Sequence, residues 1–196
     1  MKTNEQGRSM VEMLGVLAII GVLSAGGLAG YSKAMFKHKL NSTMDQITML
    51  VTNIRTMYGT QGNYNGLATN AVDLGIVPPI MGNAVDSLTS PFKGKVTIAE
   101  IDAKTGEAVA ANATSTGFTV KYEDLPTEAC IALSTADFGS GAGSGFIGVQ
   151  AGTIPSAKPH IGSTTEGKAL SMDASTGALA DAACGAADND VTWYFY

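Results

Sequence analysis

The residues of this chain whose types and spacing could do chemistry are Gly7 and Glu12, five positions apart near its start. Glu12 is the only charged residue between Ser9 and Ser32. A carboxylate in an apolar segment costs about 2.5–3.5 kcal/mol at the centre of a membrane, so such an acid marks a functional site and pairs with a positive group. The sequence therefore identifies Glu12 as a functional residue that needs a positively charged partner.

The apolar segment that follows, residues 13–30, must position that carboxylate. It contains one polar side chain, Ser24, and its 18 residues are enough to cross a bilayer as a helix. Three interpretations compete. The segment could be a secretory signal cut after Ala25, a simple membrane anchor, or a helix that follows a short polar leader ending at Gly7.

Helical patterning continues beyond the apolar segment, which favours the third interpretation. Apolar residues recur at intervals of four, three, four, three and four and form one stripe along a helix: Leu40, Met44, Ile47, Val51, Ile54 and Tyr58. A signal peptide that is removed has no reason to be in phase with an amphipathic helix behind it. The sequence therefore predicts a leader over residues 1–7 and one long helix over residues 8–59.

The N-terminal segment resembles that of the type IV pilins. The resemblance is carried by residues 7–14 (GRSMVEML) and the apolar segment behind them. Weaker motifs along the chain add to it: residues 58–64 (YGTQGNY), 90–94 (SPFKG), 128–133 (EACIAL), 182–184 (AAC) and 191–195 (VTWYF). Together these segments look most like the type IVb major pilins, the group that includes the bundle-forming and toxin-coregulated pilins.

The resemblance implies a structural role and a set of partners. It implies that a prepilin peptidase cuts between Gly7 and Arg8 and methylates the new amine of Arg8. That amine would pair with Glu12 of a neighbouring subunit and set the register of a helical homopolymer, used for surface adhesion, aggregation and motility. The implied machinery is an assembly ATPase and a platform protein. The precursor would lie in the inner membrane and the product in an extracellular pilus.

Composition excludes several other classes of protein. The net charge is −5 and no basic stripe is present, so we expect no nucleic-acid partner. With two histidines and no CxxC motif, we expect no metal site and no cofactor. If the domain is exported, Cys130 and Cys184 should form a disulfide that closes a loop of 55 residues, counting both cysteines. Two free buried thiols are the alternative.

Residues 60–196 are predicted to form the globular part. Alternation and β-branched or aromatic content predict four strands: residues 95–101, 118–122, 146–149 and 191–196. Helix signals predict three short helices: residues 68–74, 126–135 and 179–184. The predicted fold class is α+β, a long helix, membrane-spanning in its first half and amphipathic in its second, packed on an antiparallel sheet. The resemblance adds that the last strand lies inside the sheet and that Cys130–Cys184 closes the C-terminal region.

Three further features indicate no chemistry of their own. The GxGxxG at residues 143–148 has no strand before it and no clear helix after it. His160 is a lone loop histidine, and Asp181, Asp188 and Asp190 match no calcium loop, which favours solvated surface acids. We therefore expect a structural subunit and not an enzyme. A pseudopilin or minor pilin of a secretion or DNA-uptake system is the alternative, and an anchored or secreted ligand-binding domain is the third hypothesis.

Overall fold

The structure is a computed structural model that describes residues 6–110, 113–136, 138, 145–152, 184–185 and 189–196, with side chains from Met10 onward. The chain divides into two compact units, Met1–Lys39 and Leu40–Tyr196. Helix α1 runs from Gln6 to Tyr58 and contributes to both units. The single long helix predicted from the apolar segment and the stripe behind it is confirmed.

The second unit, Leu40–Tyr196, is called the head here. Besides the last part of α1, its described residues form helices α2 (Leu67–Asn70) and α3 (Thr127–Ser134) and a 3-10 turn (Val85–Ser87). Four strands follow the order of the chain: β1 (Val96–Ile101), β2 (Gly117–Leu125), β3 (Phe146–Ala151) and β4 (Asn189–Phe195). They pair into one antiparallel sheet with the order β1-β2-β4-β3, so the C-terminal strand lies inside the sheet, as expected.

The elements agree with the sequence except at their ends. Strand β2 continues to Leu125 through an irregularity after Tyr122, where Asp124 adopts a φ of 55°. Helix α2 stops at Asn70 and turns follow it, so it is shorter than the predicted 68–74. Of the helix predicted over residues 179–184, all but Cys184 lies outside the described residues. His160 and part of the GxGxxG segment lie outside them too.

Register across the sheet explains why the strands hold together. Ile98, Val120, Trp193 and Val149 occupy matched positions on the four strands, and all four side chains are buried. The next row along places Val96, Tyr122, Val191 and Ala151 on the same face. Both rows join the core cluster that includes the buried face of α1. Because successive side chains of a strand alternate between faces, this apolar face is available to the helix.

The two cysteines are joined by a disulfide, as predicted for an exported domain. The Cys130 and Cys184 sulfurs are 2.01 Å apart, and both residues are almost completely buried. The bond ties α3 to the segment that precedes β4, across a sequence separation of 54. The disulfide therefore links the segment before the central strand β4 to a helix that lies much earlier in the sequence.

One acidic residue differs from its expectation as a solvated surface acid. Lys121 Nζ lies 2.8 Å from the Asp190 carboxylate and 3.0 Å from that of Glu123, and the Asp190 side chain is only 12 % exposed. Burial lowers the pKa of Lys121, but the hydrogen bonds to Asp190 and Glu123 together raise it by more than burial lowers it, so the net shift is upward. Asp190 therefore joins β4 to β2 on the sheet.

Removing the disulfide should destabilise the head. We expect Cys184→Ser to lower the free energy of unfolding by about 2–5 kcal/mol, because the open chain gains conformational entropy when it unfolds. The measurement is protease resistance: the fraction of full-length protein that a protease cleaves is determined at increasing urea concentrations. Cys130→Ser should give the same loss, and the double variant should lose no more than either single one. Wild-type stability of Cys184→Ser would contradict a structural role for the bond.

Tyr122 should make the head sensitive to alkali. Burial raises the pKa of Tyr122 above its ordinary value, and its hydroxyl donates to Gln46 Oε1 at 3.4 Å. Its contribution to stability is complete below the unfolded pKa of about 10 and is lost as pH rises above it, because the unfolded state ionises first. Tyr122→Phe should therefore flatten the fall in unfolding midpoint above about pH 10. Tyr196→Phe, which removes an exposed tyrosine, is the control and should leave the profile steep.

Candidate assembly surface

The side chains of the apolar segment are exposed. Among the described residues, one helix is long and apolar enough to cross a membrane. Its most apolar 18-residue window has a mean hydropathy of 2.1, and none of that window is buried. A signal sequence meets the same test, so the choice between them rests on Glu12 and on the stripe that follows. The exposed large side chains are Met10, Val11, Met13, Leu14, Val16, Leu17, Ile19, Ile20, Val22, Leu23, Leu28 and Tyr31.

Glu12 lies at one end of this apolar surface. It is exposed on α1, and its neighbours Val11 and Met13 are 70 % and 64 % exposed. Gly7 and Arg8, the predicted cleavage and methylation positions, lie in the first two turns of the same helix. Arg8 and Glu12 are four residues apart, so their positions share one face about 6 Å apart along the axis. The arrangement places a carboxylate about one turn from the backbone nitrogen that cleavage after Gly7 would free.

Glycines interrupt the apolar surface at positions where another helix could approach. A Cβ atom added at Gly15, Gly21, Gly26, Gly27 or Gly30 would meet nothing within 4 Å. Gly26 and Gly30 are spaced as in small-xxx-small motifs, which let two helix backbones pack closely. These positions therefore leave space for the close approach of another apolar helix.

The later part of α1 belongs to the head and packs against its core. Ile47, Val51, Ile54 and Tyr58 of the predicted stripe are buried, and Leu40 and Met44 pack at its edge. The buried face is wider than the stripe, because Thr43, Gln46 and Leu50 are buried as well. The core explains the difference, because the cluster that contains the buried face of α1 also includes Leu67 of α2 and the loop residues Ile76 and Leu88, in addition to the sheet.

Arg55 is a residue of the head that the apolar stripe did not identify as a candidate functional residue. Its guanidinium carbon lies 5.4 Å from the centre of the Phe195 ring, a cation–π distance. Burial lowers the pKa of Arg55, while Tyr64 and Tyr196 act in the opposite direction. A signal was available in the sequence, since Arg55 is the only Lys or Arg between Leu40 and Phe92.

The structure does not assemble the sequence-predicted residues into a single reactive centre. Gly7, Arg8 and Glu12 belong to the first unit, whereas Cys130 and Cys184 lie in the head. In the part of the chain that the structure describes, no three His, Cys, Asp or Glu side chains are grouped as metal ligands would be. What the described residues offer is an apolar helical surface with one acid, and a head in which the half-buried Arg55 lies beside Phe195.

Comparison with known proteins gives one family and several relatives. The sequence model of the bundlin family matches residues 33–196. The chain is 25% identical over 143 residues to the major structural subunits of the bundle-forming pilus of Escherichia coli O127:H6 and Escherichia coli O111:H-. These alignments cover 72% of this chain and 69% of each relative.

Two solved structures are also similar. The TcpA type IV pilin of Vibrio cholerae El Tor biotype is 15% identical, with a TM-score of 0.47, covering 81% of this chain and 99% of TcpA. The type IV b pilin of Salmonella typhi is 17% identical, with a TM-score of 0.47, covering 78% of this chain and 97% of that pilin.

The buried face of α1 should contribute far more to head stability than its exposed face. We expect Ile54→Ala to lower the free energy of unfolding by about 2–5 kcal/mol, because a fully buried side chain leaves a cavity. Met49→Ala removes a side chain that is 51 % exposed on the same helix and should cost less than about 0.5 kcal/mol. Urea unfolding of both full-length variants measures the difference. Equal losses would contradict the packing of α1 described here.

Proposed function

The chain belongs to the bundlin family, and from this membership we propose that it is a structural subunit that polymerises into a type IV pilus. The observation that carries the proposal is the exposed apolar surface of α1 with Glu12 at its end. Such a surface does not stay in water, because burying each large apolar side chain gains about 1.5–3 kcal/mol. A bilayer first, and further copies of the same helix later, supply the two apolar environments that a pilin needs.

The precursor is held in the inner membrane by the apolar segment. A prepilin peptidase cuts between Gly7 and Arg8 and methylates the amine of Arg8. This step is supported by the sequence of residues 7–14 and by the spacing of Gly7 and Glu12. The mature chain then begins with a positive charge at the start of an apolar helix.

Glu12 sets the register between subunits in the fibre. A buried carboxylate without a partner is strongly unfavourable, and one axial offset of neighbouring helices brings it to the amine of an adjacent Arg8. Apolar contacts alone change little when two helices slide by a residue or two. A single buried ion pair distinguishes the correct offset, as a buried polar residue does in a coiled coil.

The remaining partners follow from this role. An assembly ATPase in the cytoplasm and a platform protein in the inner membrane extract the subunit from the bilayer and add it to the fibre. The extracellular fibre serves adhesion, aggregation and motility. The two Escherichia coli relatives are major structural subunits, so a pseudopilin or minor pilin is the less favoured alternative.

Removing the Glu12 carboxylate should block assembly without affecting the subunit itself. We expect Glu12→Ala to be cleaved after Gly7 and to form the Cys130–Cys184 disulfide, yet to yield at least about tenfold less surface fibre, the effect of about 1.4 kcal/mol per contact. Fibre shed by shearing is quantified against total subunit in the membrane.

Glu5→Ala is the matched control for this experiment. It removes the other N-terminal acid, and once the leader is cut the mature chain is identical to the wild type. Glu5→Ala should therefore give normal fibres. Normal piliation by Glu12→Ala would show that the carboxylate does not set the register.

A further inference from the structure

A groove with a volume of about 420 Å³ opens on the head between α1, the residues after α3 and the end of β4. Its size falls within the range of about 300–1,000 Å³ that is usual for binding sites. Most of its lining is apolar and comes from Met44, Val51, Ala136, Phe138 and Phe195. The polar remainder consists of Thr48, Thr52 and Arg55, all on α1.

The two threonines add few hydrogen-bond donors to the groove. The Thr48 hydroxyl donates to the Met44 carbonyl at 2.9 Å, and the Thr52 hydroxyl donates to the Thr48 carbonyl at 2.7 Å. Their hydrogens are therefore used within the helix, and water loses little when it leaves this side of the groove. The recognition of a polar group in the groove falls to Arg55.

Arg55 is a cation that the described residues leave uncompensated. Its Nη2 atom is buried and has no hydrogen-bond partner among them. The ion pairs of Lys121 with Glu123 and Asp190 do not include Arg55. Gly145, with a φ of 67°, closes over the guanidinium; a side chain there would collide with Arg55 and with the Tyr196 carbonyl. Among the described residues the guanidinium is half-buried and its Nη2 atom is unpaired, and such a positive charge favours an anionic occupant.

We propose that in the fibre this groove receives an acidic side chain and its apolar neighbours from the head of a second copy of the chain. The inference rests on the proposed function, since polymerisation is what brings a second copy to this surface. A carboxylate beside the guanidinium supplies the missing counter-charge, and apolar neighbours cover Met44, Val51 and Phe138. The interaction is an additional contact between heads, separate from the pairing of Glu12 with the amine of Arg8.

The charge distribution supports a second copy as the occupant. The head contains 15 of the 17 acidic residues of the chain but only 7 of its 12 Lys and Arg residues. A neighbouring head therefore offers many carboxylates to Arg55. Those exposed among the described residues are Asp45, Asp73, Asp86, Glu107, Asp124 and Glu128. In a polymer the contact repeats at every subunit, so a weak pair contributes through the whole fibre.

Photo-crosslinking in assembled fibres tests the proposal directly. A benzoylphenylalanine probe replaces Thr48, which is exposed and lines the groove, and in a parallel sample it replaces Thr105, which is exposed on the turn after β1. We expect covalent dimers of this chain from the Thr48 probe, at a yield at least about tenfold above that of the Thr105 probe. Mass spectrometry should find the attached peptide to include one of the six exposed acids.

Other outcomes overturn the inference. They are equal yields from the two probes, attachment of the Thr48 probe to lipid or to another protein, and fibres of normal yield in which the Thr48 probe gives no crosslink. In each of these cases fibres of this chain still form, so the proposed function stands while the groove contact fails. Absence of fibres from the wild-type chain would instead count against the proposed function itself.

Charge variants give a second measurement. Arg55→Gln and Lys104→Gln each remove one positive charge from the head, but Lys104 is exposed on the turn and lies outside the groove lining. We expect Arg55→Gln to lower fibre yield about tenfold, the loss of one charge-assisted contact, and Arg55→Lys to restore part of it. Lys104→Gln should assemble normally. If Arg55→Gln fails to form the Cys130–Cys184 disulfide, the crosslinking result decides.

Discussion

One constraint underlies the rest of the molecule: the apolar surface of α1 must be removed from water, and its burial also buries the carboxylate of Glu12. The twelve large apolar side chains exposed from Met10 to Tyr31 gain roughly 20–35 kcal/mol on burial, at about 1.5–3 kcal/mol each. The penalty for burying Glu12 is about 2.5–3.5 kcal/mol. Burial therefore wins by a wide margin, and the acid cannot prevent it. Its effect lies in choosing among arrangements that bury similar apolar area, which is why Glu12 suits a role in register.

In the head, the last part of α1 packs against a sheet, and a central strand of that sheet, β4, is the C-terminal strand. Strand β4 lies between β2 and β3, so the sheet is incomplete until residues 189–195 are in place. Trp193 fills the middle of the buried face, and the Cys130–Cys184 bond secures the segment just before β4. Long-range pairings of this kind form slowly, because the entropy of loop closure opposes them until the contacts are made. The disulfide reduces that cost by restricting the unfolded chain.

Local pattern predicted the elements well, and contacts between distant segments account for what it missed. Helix α1 and strand β1 are periodic over their own length, so Ile47, Ile54 and Ile98 could be assigned to buried faces from the sequence. Thr43 and Gln46 are polar, so the apolar stripe does not predict their burial, and the partner of Gln46 is Tyr122, 76 positions away on strand β2. The central position of β4 came from the family resemblance and not from periodicity. Glu12 was evident as a lone charge, whereas Arg55 becomes meaningful only with Phe195 and Gly145 around it.

Intact-mass and N-terminal sequencing of subunits sheared from the cell surface test the central claim most directly. If Glu12 is neutralised by the amine that cleavage after Gly7 creates, the fibre subunit comprises residues 8–196, with a methylated Arg8 and an oxidised Cys130–Cys184 pair. A surface-exposed form that begins at Gly26 or later would have lost Glu12 and much of the apolar segment together. That result would contradict the account, because neither the register nor the burial argued above would then have a physical basis.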